Sequence, residues 1–255
     1  MNAVLLEHFA RRLSPRAWAA QSTVAPAHLG RSATGGRWLA RALADGCSHL
    51  ELLDGRPAFE RHLRRSTWVS GHLPVEPLAS RIAATGRSAR WFTVLRDPVA
   101  QIASHYQWWI EVHRRGPLRY WRHGDYFRAL SRRIRATDGT DPAAVAAVLS
   151  DHAPLFLNFQ ARFVLRPDLP DGAVPGPGEI DTGLDRFEAI GLDDDLGSVC
   201  AAMTGGAARP VARVNATRSK MDRGVFATPY LRAFLAERHG ADIALHARAR
   251  ARRGN

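Results

Sequence analysis

The stretch that decides the fold is WFTVLRDPVAQIASHY, residues 91–106. Its first five residues form an apolar run typical of a buried strand. Asp97 and Pro98 come next and suit a helix start, because an aspartate caps the first turn and a proline fits the first helical position. Arg96 is therefore predicted at the carboxyl end of a strand, with Ser104 about two turns into the next helix. This pair could hold one phosphate from two sides; the alternative is a capping turn with an incidental arginine.

Strands and helices alternate along the chain on both sides of this stretch. The predicted strands are Val24–Leu29, Ser48–Leu53, Thr67–Ser70, Trp91–Leu95 and Phe187–Leu192. The predicted helices are Gly36–Ala44, Pro57–Arg64, Pro74–Thr85, Pro98–His113, Leu118–Arg135, Pro142–Leu149, His152–Leu165, Leu196–Met203, Pro229–His239 and Ile243–Arg252. This order favours one α/β domain with a central parallel sheet flanked by helices. Ligands of such sheets bind at the carboxyl ends of the strands, so the turns there are candidate sites.

The composition is that of a globular protein: 255 residues, 45% of them hydrophobic, with a net charge of +12. Arginine supplies most of the positive charge, which suits phosphate or sulfate. Because the charge is spread over many helices, we expect no nucleic-acid partner. Cys47 and Cys200 have neither metal-ligand spacing nor a disulfide pattern. The longest apolar runs are shorter than a membrane span requires, so a cytoplasmic location is expected.

Two segments are predicted to lie outside the alternating pattern of the single domain. Residues 1–22 are expected to form a helical N-terminal extension, with apolar residues along one stripe. Residues 166–183 are rich in proline, glycine and aspartate, and are expected to form a surface loop inserted in the domain.

A glycine-bearing turn is predicted after the first strand, in HLGRSATGGRWL at residues 28–39. Free N–H groups and the positive end of a helix dipole would meet there, which suits a phosphate. The spacing of Gly30 and Gly35 matches the nucleotide-kinase loop, but Gly36 replaces its lysine and Arg37 its magnesium-binding hydroxyl. A nucleoside triphosphate with magnesium is therefore disfavoured; a plain structural turn is the other alternative.

The pattern Arg-Asp-Pro-x5-Ser-x-Tyr at 96–106 resembles the 3′-phosphate-binding motif of sulfotransferases that use 3′-phosphoadenosine-5′-phosphosulfate (PAPS). The nearest resemblance is to carbohydrate sulfotransferases similar to the heparan sulfate 2-O enzymes. It implies a P-loop-like sulfotransferase fold, in which Arg96 and Ser104 grip the 3′-phosphate of PAPS. Other segments resemble family patterns in the same order: LFLNFQARFVL at 155–165, DRFEAIGL at 185–192, RVNAT at 213–217 and HGADIALHARA at 239–249.

The same resemblance implies the remaining site residues. The glycine-rich loop would hold the 5′-phosphosulfate through Arg31, Ser32, Thr34, Gly35, Gly36 and Arg37. The family's lysine is absent here, and two alignments place either Ala33 or Arg31 at its position. Arg31 or Arg37 would stabilise the departing phosphate oxygen. His72, in a Gly-His turn after a strand, would be the general base.

The acceptor side is indicated by aromatic and basic residues beyond the phosphate motif. Trp108 and Trp109 could stack on a sugar or an aromatic acceptor, although helix core is the alternative. His113 could bind an acidic group of the acceptor, although a solvated helix face is the alternative. The resemblance implies no metal, and PAP as the product of PAPS. The alternative functions are a non-catalytic PAP- or PAPS-binding relative, a P-loop small-molecule kinase and a basic nucleic-acid-binding protein.

Overall fold

The computed structural model describes residues 74–114, 125–192, 196–204 and 222–253. Its strands are β1 (Phe92–Leu95) and β2 (Ala189–Leu192). Its helices are α1 (Val75–Ala83), α2 (Pro98–Arg114), α3 (Asp125–Ala136), α4 (Pro142–Asp151), α5 (Ala153–Phe156), α6 (Phe159–Val164), α7 (Pro177–Leu184), α8 (Leu196–Thr204), α9 (Pro229–Arg238) and α10 (Gly240–Arg253), with a 3-10 helix at Arg223–Ala227. The described chain is thus mostly helical.

The two strands lie side by side as a parallel pair. The Glu188 N–H donates to the Trp91 carbonyl at 2.8 Å where the pair begins. In both strands the last two residues are buried. The predicted strands at these two positions are confirmed, and a parallel pair among helices is consistent with the predicted α/β class. The predicted strands at Val24–Leu29, Ser48–Leu53 and Thr67–Ser70 lie outside the described residues.

The described residues group into two compact units, each made of separate stretches of chain. In one unit, the described residues are 74–94, 163–167, 186–192 and 196–204. Here α8 packs against β2. The Arg90 guanidinium pairs with both carboxylate oxygens of Glu188 and lies 5.3 Å from the centre of the Phe92 ring. This pair is exposed, so it contributes little to the free energy of unfolding.

The other unit is a helical assembly centred on α2. Helix α3 packs against α2, α4 packs against α9, and α7 packs against α10. Its largest fully buried side chains include Tyr106, Phe156, Phe226, Leu130, Ile134 and Leu149. Tyr106, the tyrosine of the Arg-Asp-Pro motif, is 0% exposed and so belongs to the core. None of the helices in the described stretches is long and apolar enough to cross a membrane.

The structure differs from the sequence prediction at two places. The helix predicted at His152–Leu165 is broken into α5 and α6, because Asn158 has a φ of 51°. Asparagine tolerates this left-handed conformation better than most residues, but a helix cannot continue through it. The loop predicted at 166–183 contains α7, which starts at Pro177 and buries Ile180 and Leu184.

Candidate functional site

The turn between β1 and α2 is built as its sequence predicts. Leu95 ends β1 and is only 2% exposed. Asp97 Oδ1 accepts a hydrogen bond from the Ala100 N–H at 2.8 Å, and α2 begins at Pro98. The predicted aspartate cap is therefore confirmed. Arg96 lies between the buried strand end and this capped helix, with its side chain partly buried.

The backbone of Arg96 is bound by the side chain of Gln160. The Arg96 N–H donates to Gln160 Oε1 at 2.7 Å, and Gln160 Nε2 donates to the Arg96 carbonyl at 2.8 Å. A primary amide offers the same donor and acceptor as a peptide group. Gln160 thus bonds to Arg96 as the backbone of a neighbouring strand would, one residue beyond the end of β1.

The N-termini of α6 and α10 cap each other through two buried side chains. Asn158 Oδ1 accepts from the N–H groups of Ala241 and Asp242 at 3.1 and 3.3 Å. In return, the Asp242 carboxylate accepts from the N–H groups of Ala161 and Gln160 at 2.6 and 3.1 Å. Asn158 and Asp242 are both 0% exposed. These contacts satisfy N–H groups that a helix start leaves without partners, and they hold Gln160 in place.

A buried histidine completes this network. His239 is 0% exposed, its Nδ1 accepts from the Asn158 N–H at 2.7 Å, and its Nε2 lies 3.5 Å from Asp242 Oδ2. Burial lowers the pKa of His239 to about 4, although the Pro98 carbonyl and the charge of Asp97 favour its protonated form. Burial also raises the pKa of Asp242 to about 6, against the effect of the two N–H groups it accepts from. At neutral pH His239 is therefore neutral and Asp242 ionised.

Four of the predicted site residues have described side chains, and all four lie in or next to α2. Ser104 is partly buried on α2, on the element that follows Arg96, as the sequence predicts. Trp108 is partly buried against the helical core. Trp109 is 4% exposed, and its ring stacks on Phe127 at 5.1 Å between centroids. Trp109 therefore lies in the helix core, which the sequence analysis gave as the alternative to stacking on an acceptor.

The other predicted site residues cannot be placed on this geometry. The backbone of His113 belongs to α2, but its side chain lies outside the described set. The general base His72 and the glycine-rich loop also lie outside the described residues; the loop residues are Arg31, Ser32, Thr34, Gly35, Gly36 and Arg37. Their roles stay predictions. Within the described ranges, no group of three or more His, Cys, Asp or Glu side chains could hold a metal ion.

Sequence reasoning missed the residues that hold the Arg96 turn. Gln160 and Asn158 belong to the segment 155–165 that resembles a family helix, and Asp242 belongs to the closing helix, but the pattern alone assigns them no contacts. Gln160 bonds to a residue 64 positions earlier, and Asp242 to residues 81 and 82 positions earlier. The one usable signal was the alternation of polar residues, at 158, 160 and 162, inside an otherwise apolar segment.

The chain was compared with protein families, curated proteins and solved structures. No family model, no curated protein and no solved structure matches the chain. A functional proposal therefore rests on the residues themselves.

Proposed function

We propose that this protein is a PAPS-dependent sulfotransferase that moves a sulfuryl group from PAPS to a hydroxyl of a saccharide or small metabolite. The observation that carries the proposal is the placement of Arg96. It follows a buried parallel strand directly, its peptide is bound on both sides by Gln160, and the next helix carries Ser104. Ligands of parallel sheets bind at this end of the strands. A guanidinium and a hydroxyl there suit the 3′-phosphate, which distinguishes PAPS from ATP.

The proposed mechanism relies on positioning and charge stabilisation. Sulfuryl transfer is analogous to phosphoryl transfer, in which the protein does little covalent chemistry. The glycine-rich loop would hold the 5′-phosphosulfate, and His72 would take the proton of the acceptor hydroxyl as its oxygen attacks sulfur in line. Arg31 or Arg37 would stabilise the negative charge that grows on the departing phosphate oxygen. In this proposal the two described strands belong to a larger parallel sheet of the P-loop-like sulfotransferase fold.

A thermal-shift comparison of three nucleotides tests the proposed cofactor. PAP, adenosine 5′-phosphosulfate and ATP with Mg²⁺ are added to separate samples of the protein at equal concentration. At a concentration 100 times its dissociation constant, a ligand stabilises the folded state by about 2.7 kcal/mol. We expect the largest shift with PAP and little or none with ATP. A larger shift with ATP and Mg²⁺ would instead favour a kinase.

Replacement of one arginine tests the 3′-phosphate assignment. Arg96→Ala should weaken binding of PAP more than binding of adenosine 5′-phosphosulfate, since only PAP carries the 3′-phosphate. Arg232→Ala is a matched control, because it removes the same charge from an exposed position on α9. Equal losses of affinity for both nucleotides in Arg96→Ala would refute the assignment.

A second candidate function is non-catalytic binding of PAP or PAPS. It is favoured by the glycine-rich loop, in which Ala33 or Arg31 replaces the lysine that helps sulfate to leave. An arginine keeps the charge but is a planar fork rather than a compact ammonium group. Tight binding of PAP, with no sulfuryl transfer to any of a panel of saccharide and small-molecule acceptors, would favour this candidate.

A further inference from the structure

The side chain of Gln160 fixes the backbone of the residue whose guanidinium the proposed function needs. Two hydrogen bonds run in opposite directions between the Gln160 amide and the Arg96 peptide groups, at 2.7 and 2.8 Å. Together they hold the N–H and the carbonyl of the same residue. The direction in which the Arg96 side chain leaves the backbone is then set before a ligand arrives.

Gln160 is itself held by a buried anchor. It is the second residue of α6, and its own N–H and that of Ala161 both donate to the carboxylate of Asp242. Asp242 lies in the first turn of α10 and is fully buried, and its own N–H donates to Asn158 Oδ1. The contacts thus run without a gap from α10 through α6 to Arg96. An arginine has several rotatable bonds, so fixing its backbone lowers the entropy that is lost when it binds an anion.

We infer that Gln160 is a positioning residue for anion binding by Arg96, so that removing its amide lowers affinity for the 3′-phosphate specifically. This inference rests on the proposed function, because it takes the 3′-phosphate of PAP as the anion. A purely structural role for Gln160 makes a different prediction. Adenosine 5′-phosphate lacks the 3′-phosphate. Loss of stability alone would therefore weaken the binding of PAP and of adenosine 5′-phosphate by the same factor.

The experiment measures the dissociation constants of PAP and adenosine 5′-phosphate by calorimetry, at a temperature where every variant is folded. Gln160→Ala should lower the affinity for PAP about tenfold, a change of about 1.4 kcal/mol, and change the affinity for adenosine 5′-phosphate by less than about twofold. Gln160→Glu keeps the acceptor for the Arg96 N–H but sets a carboxylate oxygen against the Arg96 carbonyl and adds a negative charge, so it should weaken PAP binding at least as much as Gln160→Ala. Gln107→Ala is the matched control: it removes two hydrogen bonds, from Arg223 Nε and Nη2 at 3.0 and 2.6 Å, that involve no atom of Arg96.

A double-mutant cycle separates this inference from the proposed function. In the Arg96→Ala background, Gln160→Ala should cause no further loss of PAP affinity, since the two residues act through one contact. If Arg96→Ala is selective for PAP but Gln160→Ala weakens both nucleotides equally, or the two losses add, the positioning role is wrong and the proposed function stands. If the wild-type protein does not bind PAP, or Arg96→Ala leaves its affinity unchanged, both fall.

Amide hydrogen exchange gives a second readout on the free protein. The Arg96 amide should exchange faster in Gln160→Ala, which loses the acceptor, and stay protected in Gln160→Glu, which keeps it. Unchanged protection in Gln160→Ala would overturn the inference whatever the nucleotide data show.

Discussion

Replacing His239 by asparagine should remove a pH-dependent part of the stability. Asparagine Oδ1 occupies nearly the position of histidine Nδ1, so His239→Asn can still accept from the Asn158 N–H, which donates at 2.7 Å in the wild type. The variant loses the titrating ring and some packing. The packing loss does not depend on pH, whereas the loss of titration does.

The size of the pH-dependent part follows from the burial of His239. Burial lowers its pKa from 6.5 to about 4, and each pH unit of such a difference corresponds to about 1.4 kcal/mol, so the full effect is about 3 kcal/mol. The unfolded chain takes up a proton near pH 6.5 but the folded chain does not. The stabilisation is therefore complete above pH 6.5 and is lost as the pH falls to about 4.

Asp242 has the opposite effect on the wild-type profile. Its folded pKa of about 6 is above its ordinary value of 3.8, so its contribution is complete below pH 3.8 and is lost as the pH rises through 6. The two groups largely cancel in the wild type. Because His239 Nε2 lies 3.5 Å from Asp242 Oδ2, the two titrations are coupled, so the same pair of proteins is also compared in an Asp242→Asn background, which removes the titration of Asp242.

Urea unfolding of the two proteins between pH 4 and pH 8 measures this difference. The gap in unfolding free energy should be constant above pH 6.5 and shift by about 3 kcal/mol in favour of the variant as the pH falls to 4. A gap that is independent of pH would refute the buried, neutral state of His239.

Substitutions at three further positions test the site and its support. His72→Ala should abolish sulfuryl transfer and leave PAP affinity unchanged, as shown by a radiolabelled-sulfate assay beside calorimetry; wild-type turnover in this variant would remove His72 from the catalytic role. Asn158→Ala should lower the unfolding free energy by about 2–3 kcal/mol, because it loses the helix caps and places an alanine in the left-handed conformation. Asn158→Gly loses the same caps but adopts this conformation without strain, so its loss should be about 1 kcal/mol smaller. Equal losses in the two variants would mean that residue 158 is not strained by an alanine. Trp109→Ala should lower the unfolding free energy by about 3–5 kcal/mol, because the Trp109 ring stacks on Phe127 in the core. An unchanged urea midpoint together with a raised KM for the acceptor would instead indicate that Trp109 binds the acceptor.

Local signals in the sequence predict the elements around the site well. The apolar run before Arg96 and the Asp97-Pro98 pair predict β1, the aspartate cap and the start of α2, since each depends only on neighbouring residues. The break at Asn158 could not be predicted in this way. Asparagine is tolerated inside helices as well as in left-handed turns, and the choice here is set by contacts with Ala241 and Asp242, far along the chain.

The contacts that hold the candidate site are non-local and so were not predictable from one sequence. The sequence predicts one helix over His152–Leu165, and a glutamine within it suits solvent as well as a buried peptide. Only folding brings Gln160 to the Arg96 peptide and Asp242 to the start of α6. The sequence thus predicts which residue types lie at the turn, while tertiary packing determines how they are held.

The ionisation of the bound 3′-phosphate tests the central proposal most directly. Phosphorus NMR of PAP, saturated with wild-type or Arg96→Ala protein, follows the 3′-phosphate signal from pH 5 to pH 8. A nearby guanidinium favours the dianion, so its second pKa, about 6 when free, should be about one pH unit lower in the wild-type complex than in the Arg96→Ala complex. The same pKa in both complexes would mean that Arg96 does not face the 3′-phosphate, and would contradict the account.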